Sequence, residues 1–274
     1  MLKFMSLGSG SCGNCYYFET GEGAFLIDAG LSPRMIKNRL LTQGLTLDKV
    51  KAIFVTHDHA DHVKSVSRLS ERLDIPVYAT ELVHEGIHQN MGVKPKLKKQ
   101  YIRLISHNHR FTMFGLRFTP FHVPHDSRDN VGYYIEGDGF SFTLMTDIGH
   151  VTDEMAYFIR KTNYLVIEAN YDKRMLLEGR YPEVLKERIL SNCGHLCNAV
   201  TAETIVKNYH PELKKIWLCH LSGHNNRPEV AYHAVADALR EIGVKIDEDV
   251  TVDVLLRKEP SKLVNIENVL KKVC

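Results

Sequence analysis

A layered α/β fold is what the 274-residue chain predicts, from three observations. Short runs rich in β-branched and aromatic residues recur along it, helical stretches separate them, and several runs stop abruptly at an acid or a histidine. The length suits one sizeable core, so residues 1–274 are read as a single domain.

Taken in order, "GSGSCG" at 8–13 matches the dinucleotide pattern G-x-G-x-x-G. That pattern needs a helix straight after the glycines to hold a pyrophosphate. Here "NCYYFET" follows, so a tight Gly/Ser hairpin between strands is expected instead. Strands are expected at "YYFET", "AFLIDAG", "KAIFVTH", "LRFTPFHV", "VGYYIEG", "FSFTLMTD", "NYLVIEAN", "KKIWLCHL" and "DVTVDVLL". Helices are expected near 33–43, 63–73, 80–89, 182–191, 198–208 and 228–241. Asp28, His57, Asp147, Glu168 and His220 all sit at carboxyl ends of these strands, where layered α/β folds collect their ligands.

Composition narrows the function. No apolar stretch approaches the roughly 20 residues of a membrane span, and the amino terminus lacks a signal-peptide pattern, so a cytoplasmic protein with no membrane partner is expected. Six cysteines are too few for a disulfide scaffold and are read as reduced, packed thiols, with an extra zinc at Cys12, Cys15, Cys193 and Cys197 as the other option. The net charge of +2 identifies no partner, but fifteen histidines point to metal binding.

Two histidine motifs compete. "HEGIH" at 84–88 matches the zinc-protease pattern, yet Gly86 weakens the helix that would hold His84 and His88 on one face; a surface helix with solvated histidines is expected. In "THDHADH", His57 and His59 share one face of extended chain and can hold one ion. Asp61 and His62 lie at the start of the next helix and can turn toward a second.

At these residues the chain resembles the metallo-β-lactamase superfamily, whose H-x-H-x-D-H signature this is. The likeness runs in order through "FLIDAG" (25–30), "THDHADH" (56–62), "VPHDS" (123–127), "MTDIG" (145–149), "IEANYD" (167–172), "GHLCN" (194–198) and "CHLSGHNN" (219–226). It is most like the YycJ/WalJ group of DNA exonucleases, which is similar to RNase Z. The resemblance implies a four-layer αββα sandwich with two divalent metal ions at one edge. His57, His59 and His125 would hold one ion, Asp61, His62 and His220 the other, and Asp147 would bridge them. Imidazole and carboxylate ligands suit zinc, manganese or iron. Asp61 would also orient the attacking water, and Asp28 would support the metal loop from behind. His122 is a rival to His125 and is read as a strand residue; His107, His109 and His150 match no ligand position.

Glu168 and His195 correspond to a pair that RNase Z-like enzymes use to protonate an alkoxide leaving group. The implied activity is that of a DNA phosphodiesterase, a 5′-to-3′ exonuclease, with RNA processing or small phosphodiester hydrolysis as the alternative and ester, thioester or lactone hydrolysis as a third class. "KPKLKKQYIR" at 94–103 carries five basic residues and no acid, and Lys96, Lys98 and Lys99 are the candidates for a nucleic-acid backbone. Asn14, Ser222, Asn225 and Asn226 are candidates for phosphate contacts near the metals, with Asn14 at the entrance.

Overall fold

The computed structural model describes residues 1–267; Cys274, read as a reduced thiol, lies outside them. In chain order the elements are β1 (Leu2–Gly8), β2 (Cys15–Thr20), β3 (Gly23–Ile27), α1 (Pro33–Leu41), β4 (Val50–Phe54), α2 (Ala60–Val63), α3 (Val66–Leu73), β5 (Val77–Ala79), α4 (Glu81–Gln89), β6 (Ile102–Leu104), β7 (Phe111–Met113), β8 (Leu116–His122), β9 (Val131–Gly137), β10 (Phe140–Met145), α5 (Asp153–Ile159), β11 (Tyr164–Glu168), α6 (Lys173–Glu178), α7 (Glu183–Leu190), α8 (Asn198–Asn208), β12 (Lys215–Cys219), α9 (Pro228–Glu241), β13 (Thr251–Val254) and β14 (Val264–Ile266).

The strands form two seven-stranded sheets, ordered β14-β1-β2-β3-β4-β5-β6 and β13-β12-β11-β10-β9-β8-β7. Period-2 alternation explains why both must be covered on each face. In β11, Tyr164 and Val166 point between the sheets while Leu165 and Ile167 point outward; in β12, Trp217 and Ile216 divide the same way. The layer between the sheets is aromatic, with Phe4, Phe18, Phe25, Phe54, Phe118, Phe142 and Trp217 in contact. α1, α3 and α4 cover the first sheet, and α5, α8 and α9 the second. The result is the four-layer αββα arrangement.

Each sheet is antiparallel on one side and parallel on the other, and β3, β4, β10, β11 and β12 all enter parallel pairings. Their carboxyl ends bring Asp28, His57, Asp147, Glu168 and His220 to one edge. The helix expected over 63–73 is in fact broken, because the Ser65 N–H donates to the Ala29 carbonyl at 2.9 Å instead of continuing the turn. No helix among the described residues is long and apolar enough to cross a membrane.

Candidate active site

Three non-glycine residues at these strand ends, Asp28, Asp147 and His220, have φ of 63°, 55° and 52°. This left-handed backbone costs about 1–3 kcal/mol per residue and persists only where surrounding structure enforces it. The enforcement is visible. The "GSGSCG" segment forms the expected hairpin turn between β1 and β2, with Gly10 and Gly13 at φ of 146° and 137°. Its Ser9 Oγ accepts from the His220 N–H at 2.9 Å, and its Asn14 N–H donates to the Asp61 carbonyl at 2.7 Å. Gly30 lies so close to the metal loop that a Cβ there would sit 1.6 Å from the Asp61 carbonyl oxygen.

Two ligand clusters result. His57, His59 and His125 offer nitrogens within 4.8 Å of one another, and Asp61, His62 and His220 offer one carboxylate oxygen and two nitrogens within the same distance. Asp147 stands between them, 3.2 Å from His62 Nε2, 3.2 Å from His220 Nδ1 and 3.8 Å from His125 Nε2. Two further groups overlap these, His57 with His62 and Asp147, and Asp147 with Glu168, His195 and His220. Asp28 is fully buried behind them: it accepts from Thr56 N and Oγ1 and from His62 Nδ1 at 2.7–2.8 Å, which turns His62 Nε2 toward the site. His125 is oriented likewise by its Nδ1 on the Gly194 carbonyl at 3.0 Å.

Electrostatics favour cations here. Burial pulls the His57 and His125 pKa values down, keeping the imidazoles neutral as metal binding requires. Burial has the same tendency at His62 and His220, but the surrounding carboxylates outweigh it; His220 is raised to about 10. Asp61 is lowered to about 2, since His62 and His220 outweigh its desolvation. The His57 Nε2 is buried with no hydrogen-bond partner, an expensive condition that an ion would relieve. The donor set therefore fits divalent metals.

Glu168, also fully buried, accepts from His195 Nδ1 at 2.8 Å, leaving Nε2 for the adjoining cavity. Its Oε1 also lies 3.0 Å from His220 Nδ1, so it touches a candidate ligand as well as the candidate acid. Burial alone would lower the His195 pKa, but Glu168 offsets that and the net direction is up.

Other expectations need correction. Asn14 is fully buried and does not line the entrance; its side chain contacts His62, Asp61 and the Gly10 N–H, bracing the metal loop. Asn225 and Asn226 are buried too, and Asn226 ties Asn198 to the carbonyls of Ala169 and Asn170. Ser222 does line the cavity. Of the three lysine candidates, Lys96 donates to the Asn90 carbonyl and Lys98 pairs with Glu71, while Lys99 is exposed with no ion pair among the described residues, as are Lys94 and Arg103 of the same run. His84 is buried against the Arg103 carbonyl rather than solvated, and Gly86 is required because a Cβ would meet Asp58 at 2.1 Å. Cys12 and Cys193 are exposed rather than packed, and the metal-capable groups among the described residues contain no cysteine. His107 pairs with Asp129, His150 binds the Asn192 carbonyl, and His122 ends β8. Sequence reasoning missed Arg128 and Arg188, groups beside the ligands that no periodicity or motif marks, and gave no role to Asp126 although it lies in "VPHDS".

Comparison with known proteins identifies relatives along nearly the whole chain. The chain is 35% identical over 262 residues to exodeoxyribonuclease YycJ of Bacillus anthracis, covering 96% of this chain and 98% of that one. It is 34% identical over 247 residues to exodeoxyribonuclease WalJ of Streptococcus pneumoniae serotype 2, covering 89% and 91%. The crystal structure of the metallo-β-lactamase fold protein YhfI from Bacillus subtilis superposes with a TM-score of 0.68 at 14% identity, over 96% of this chain and 100% of that one. A profile of the beta-lactamase superfamily domain matches residues 24–208. With two ligand clusters at the shared edge of two sheets and full-length relatives of this kind, the chain belongs to the metallo-β-lactamase superfamily.

Proposed function

We propose that this protein is a dinuclear metal-dependent phosphodiesterase that digests DNA from its 5′ end. The observation that carries the reading is the Glu168–His195 pair beside the two ligand clusters, in a chain whose full-length relatives are exodeoxyribonucleases. His57, His59 and His125 would hold one ion, Asp61, His62 and His220 the other, with Asp147 shared; bound there, zinc, manganese or iron would acidify water and neutralise phosphoryl charge. The protein's own groups supply the rest. Asp61 orients the attacking water, and His195, its Nδ1 fixed on Glu168, presents Nε2 as the acid for the departing oxygen. Hydrolysis of an activated ester needs no such acid, which is why phosphodiesters are preferred over lactones and thioesters.

The test is a panel of DNA, RNA and small esters against the protein reconstituted with Mn²⁺, Zn²⁺ or Fe²⁺, together with metal analysis. Two ions per chain and progressive release from the 5′ end of DNA are expected. Saturation at one ion, or faster cleavage of RNA, would overturn the respective part of the reading.

A further inference from the structure

We propose that the cavity beneath α6 and α7 seats the terminal nucleotide and thereby sets the direction of digestion, an inference that rests on the phosphodiesterase reading above. Two cavities flank the metal ligands. One, of about 150 Å³, is walled by Tyr181, Leu185, Arg188, Ile189, His195 and Ser222. The other, of about 490 Å³, is a more open polar groove beside His59, Asp61, Asn90 and Arg128. Arg188 lines both and is held at the divide by Asp126. The wall of the smaller cavity is preformed: Tyr181 and Leu185 pack on a small apolar cluster of Tyr171, Leu176, Ile189 and Cys197, separate from the inter-sheet core.

The position of His195 decides which part of the substrate enters which cavity. When an internucleotide bond is hydrolysed to a 5′-phosphate, the water oxygen bonds to phosphorus and the P–O3′ bond breaks. Its electron pair leaves on O3′, which takes the His195 Nε2 proton, while the water gives up a proton that restores the balance. His195 faces the smaller cavity, so the nucleoside carrying the departing O3′ belongs there. For a 5′-to-3′ enzyme that nucleoside is a single terminal unit, and the remaining strand lies beyond phosphorus in the open groove. For a 3′-to-5′ enzyme the whole remaining strand would have to enter the smaller cavity, lined by α7 and Tyr181 and of about 150 Å³ against about 490 Å³ for the groove. Tyr181 supplies a ring for the terminal base to stack on, and Arg188 meets the backbone phosphate at the divide.

The experiment uses deoxyadenosine 5′-monophosphate as a probe, titrated calorimetrically into metal-free protein, beside digestion of DNA labelled at either end. Tyr181→Ala and Arg188→Gln are each expected to weaken nucleotide binding roughly tenfold to a hundredfold, with Tyr181→Phe restoring it and Val184→Ser, an exposed change on α7, altering nothing. Thermal melts show whether Tyr181→Ala keeps its fold, and Tyr181→Phe decides the matter if it does not. Nucleotide affinity indifferent to Tyr181 and Arg188, or first release from the 3′ end, would overturn the assignment. Bis(p-nitrophenyl) phosphate separates the two readings. If the wild type hydrolyses it while Tyr181→Ala digests DNA at the wild-type rate, the cavity assignment falls and the phosphodiesterase stands. If the wild type cleaves neither that ester nor DNA, the phosphodiesterase falls, and the nucleotide titration alone then decides the cavity.

Discussion

Replacing Glu168 by Gln should do two separable kinds of damage, and His195→Ala only one of them. Both oxygens of Glu168 are engaged: Oε1 with His195 Nδ1 at 2.8 Å and His220 Nδ1 at 3.0 Å, Oε2 with the N–H groups of Ile148 and Leu196 at 2.8 and 3.1 Å. An amide nitrogen at Oε2 faces two N–H donors and at Oε1 three, the Asn170 amide at 3.3 Å being the third, so at least two charge-assisted hydrogen bonds are lost. At about 1.5–3 kcal/mol each, the local cost is about 3–6 kcal/mol before relaxation. Because one bond orients His220, metal affinity should fall about 10- to 100-fold in Glu168→Gln. His195→Ala should retain its metals and lose only protonation, about 10²- to 10⁴-fold on DNA. The assay compares kcat/KM on end-labelled DNA and on bis(p-nitrophenyl) phosphate, whose phenolate needs little protonation, alongside metal titration of both variants. Equal losses of His195→Ala on the two substrates would refute the acid; unchanged metal affinity in Glu168→Gln would refute its hold on His220.

Gly30→Ala should displace the metal loop, since the new Cβ would overlap the Asp61 carbonyl at 1.6 Å; about 1–3 kcal/mol of stability and roughly 10²-fold in activity should be lost, read by urea unfolding and turnover. The triple change Lys96→Ala, Lys98→Ala, Lys99→Ala should reduce the salt slope of DNA binding by about one unit rather than three, because Lys99 is the uncommitted one of the three; a drop near three would return all three lysines to the nucleic-acid backbone. At Glu19, burial tends to raise the carboxyl pKa, but Tyr17, Lys49 and Lys3 at 2.6, 2.9 and 3.2 Å more than offset it and the net shift is downward. Its stabilising contribution is therefore present above the ordinary carboxylate range and lost as pH falls through the depressed folded value; Glu19→Gln should flatten that acid limb in urea midpoints, and an unaltered limb would contradict the assignment.

A layered α/β fold was legible in the sequence because strands covered on both faces read as near-continuous apolar runs, and Asp28, His57, Asp147, Glu168 and His220 stood out because a run stops at each; the αββα arrangement and the full ligand set came from the metallo-β-lactamase resemblance. β5, β6, β7 and β14 were not legible, being three residues each and too short for alternation to register. α5 and α6 span seven and six residues, under two turns, so no helical period develops. Asn14 was misplaced for a different reason. An asparagine in a glycine loop reads as surface, and only the fold of the hairpin tip under Asp61 reveals that it is enclosed. The lysine run failed similarly, since Glu71 and the Asn90 carbonyl reach it from elements distant in sequence or around a turn.

The brace between Ser9 and His220 joins residues 211 positions apart, and Asp61 meets His220 across 159. A ribosome delivers the hairpin before β12, so Ser9 and Asp61 are made long before the His220 that they meet. Loop closure of this length is slow and its reward comes only when the second sheet docks. The second ligand cluster can therefore be completed only after β12 has been made and its sheet has docked on the first.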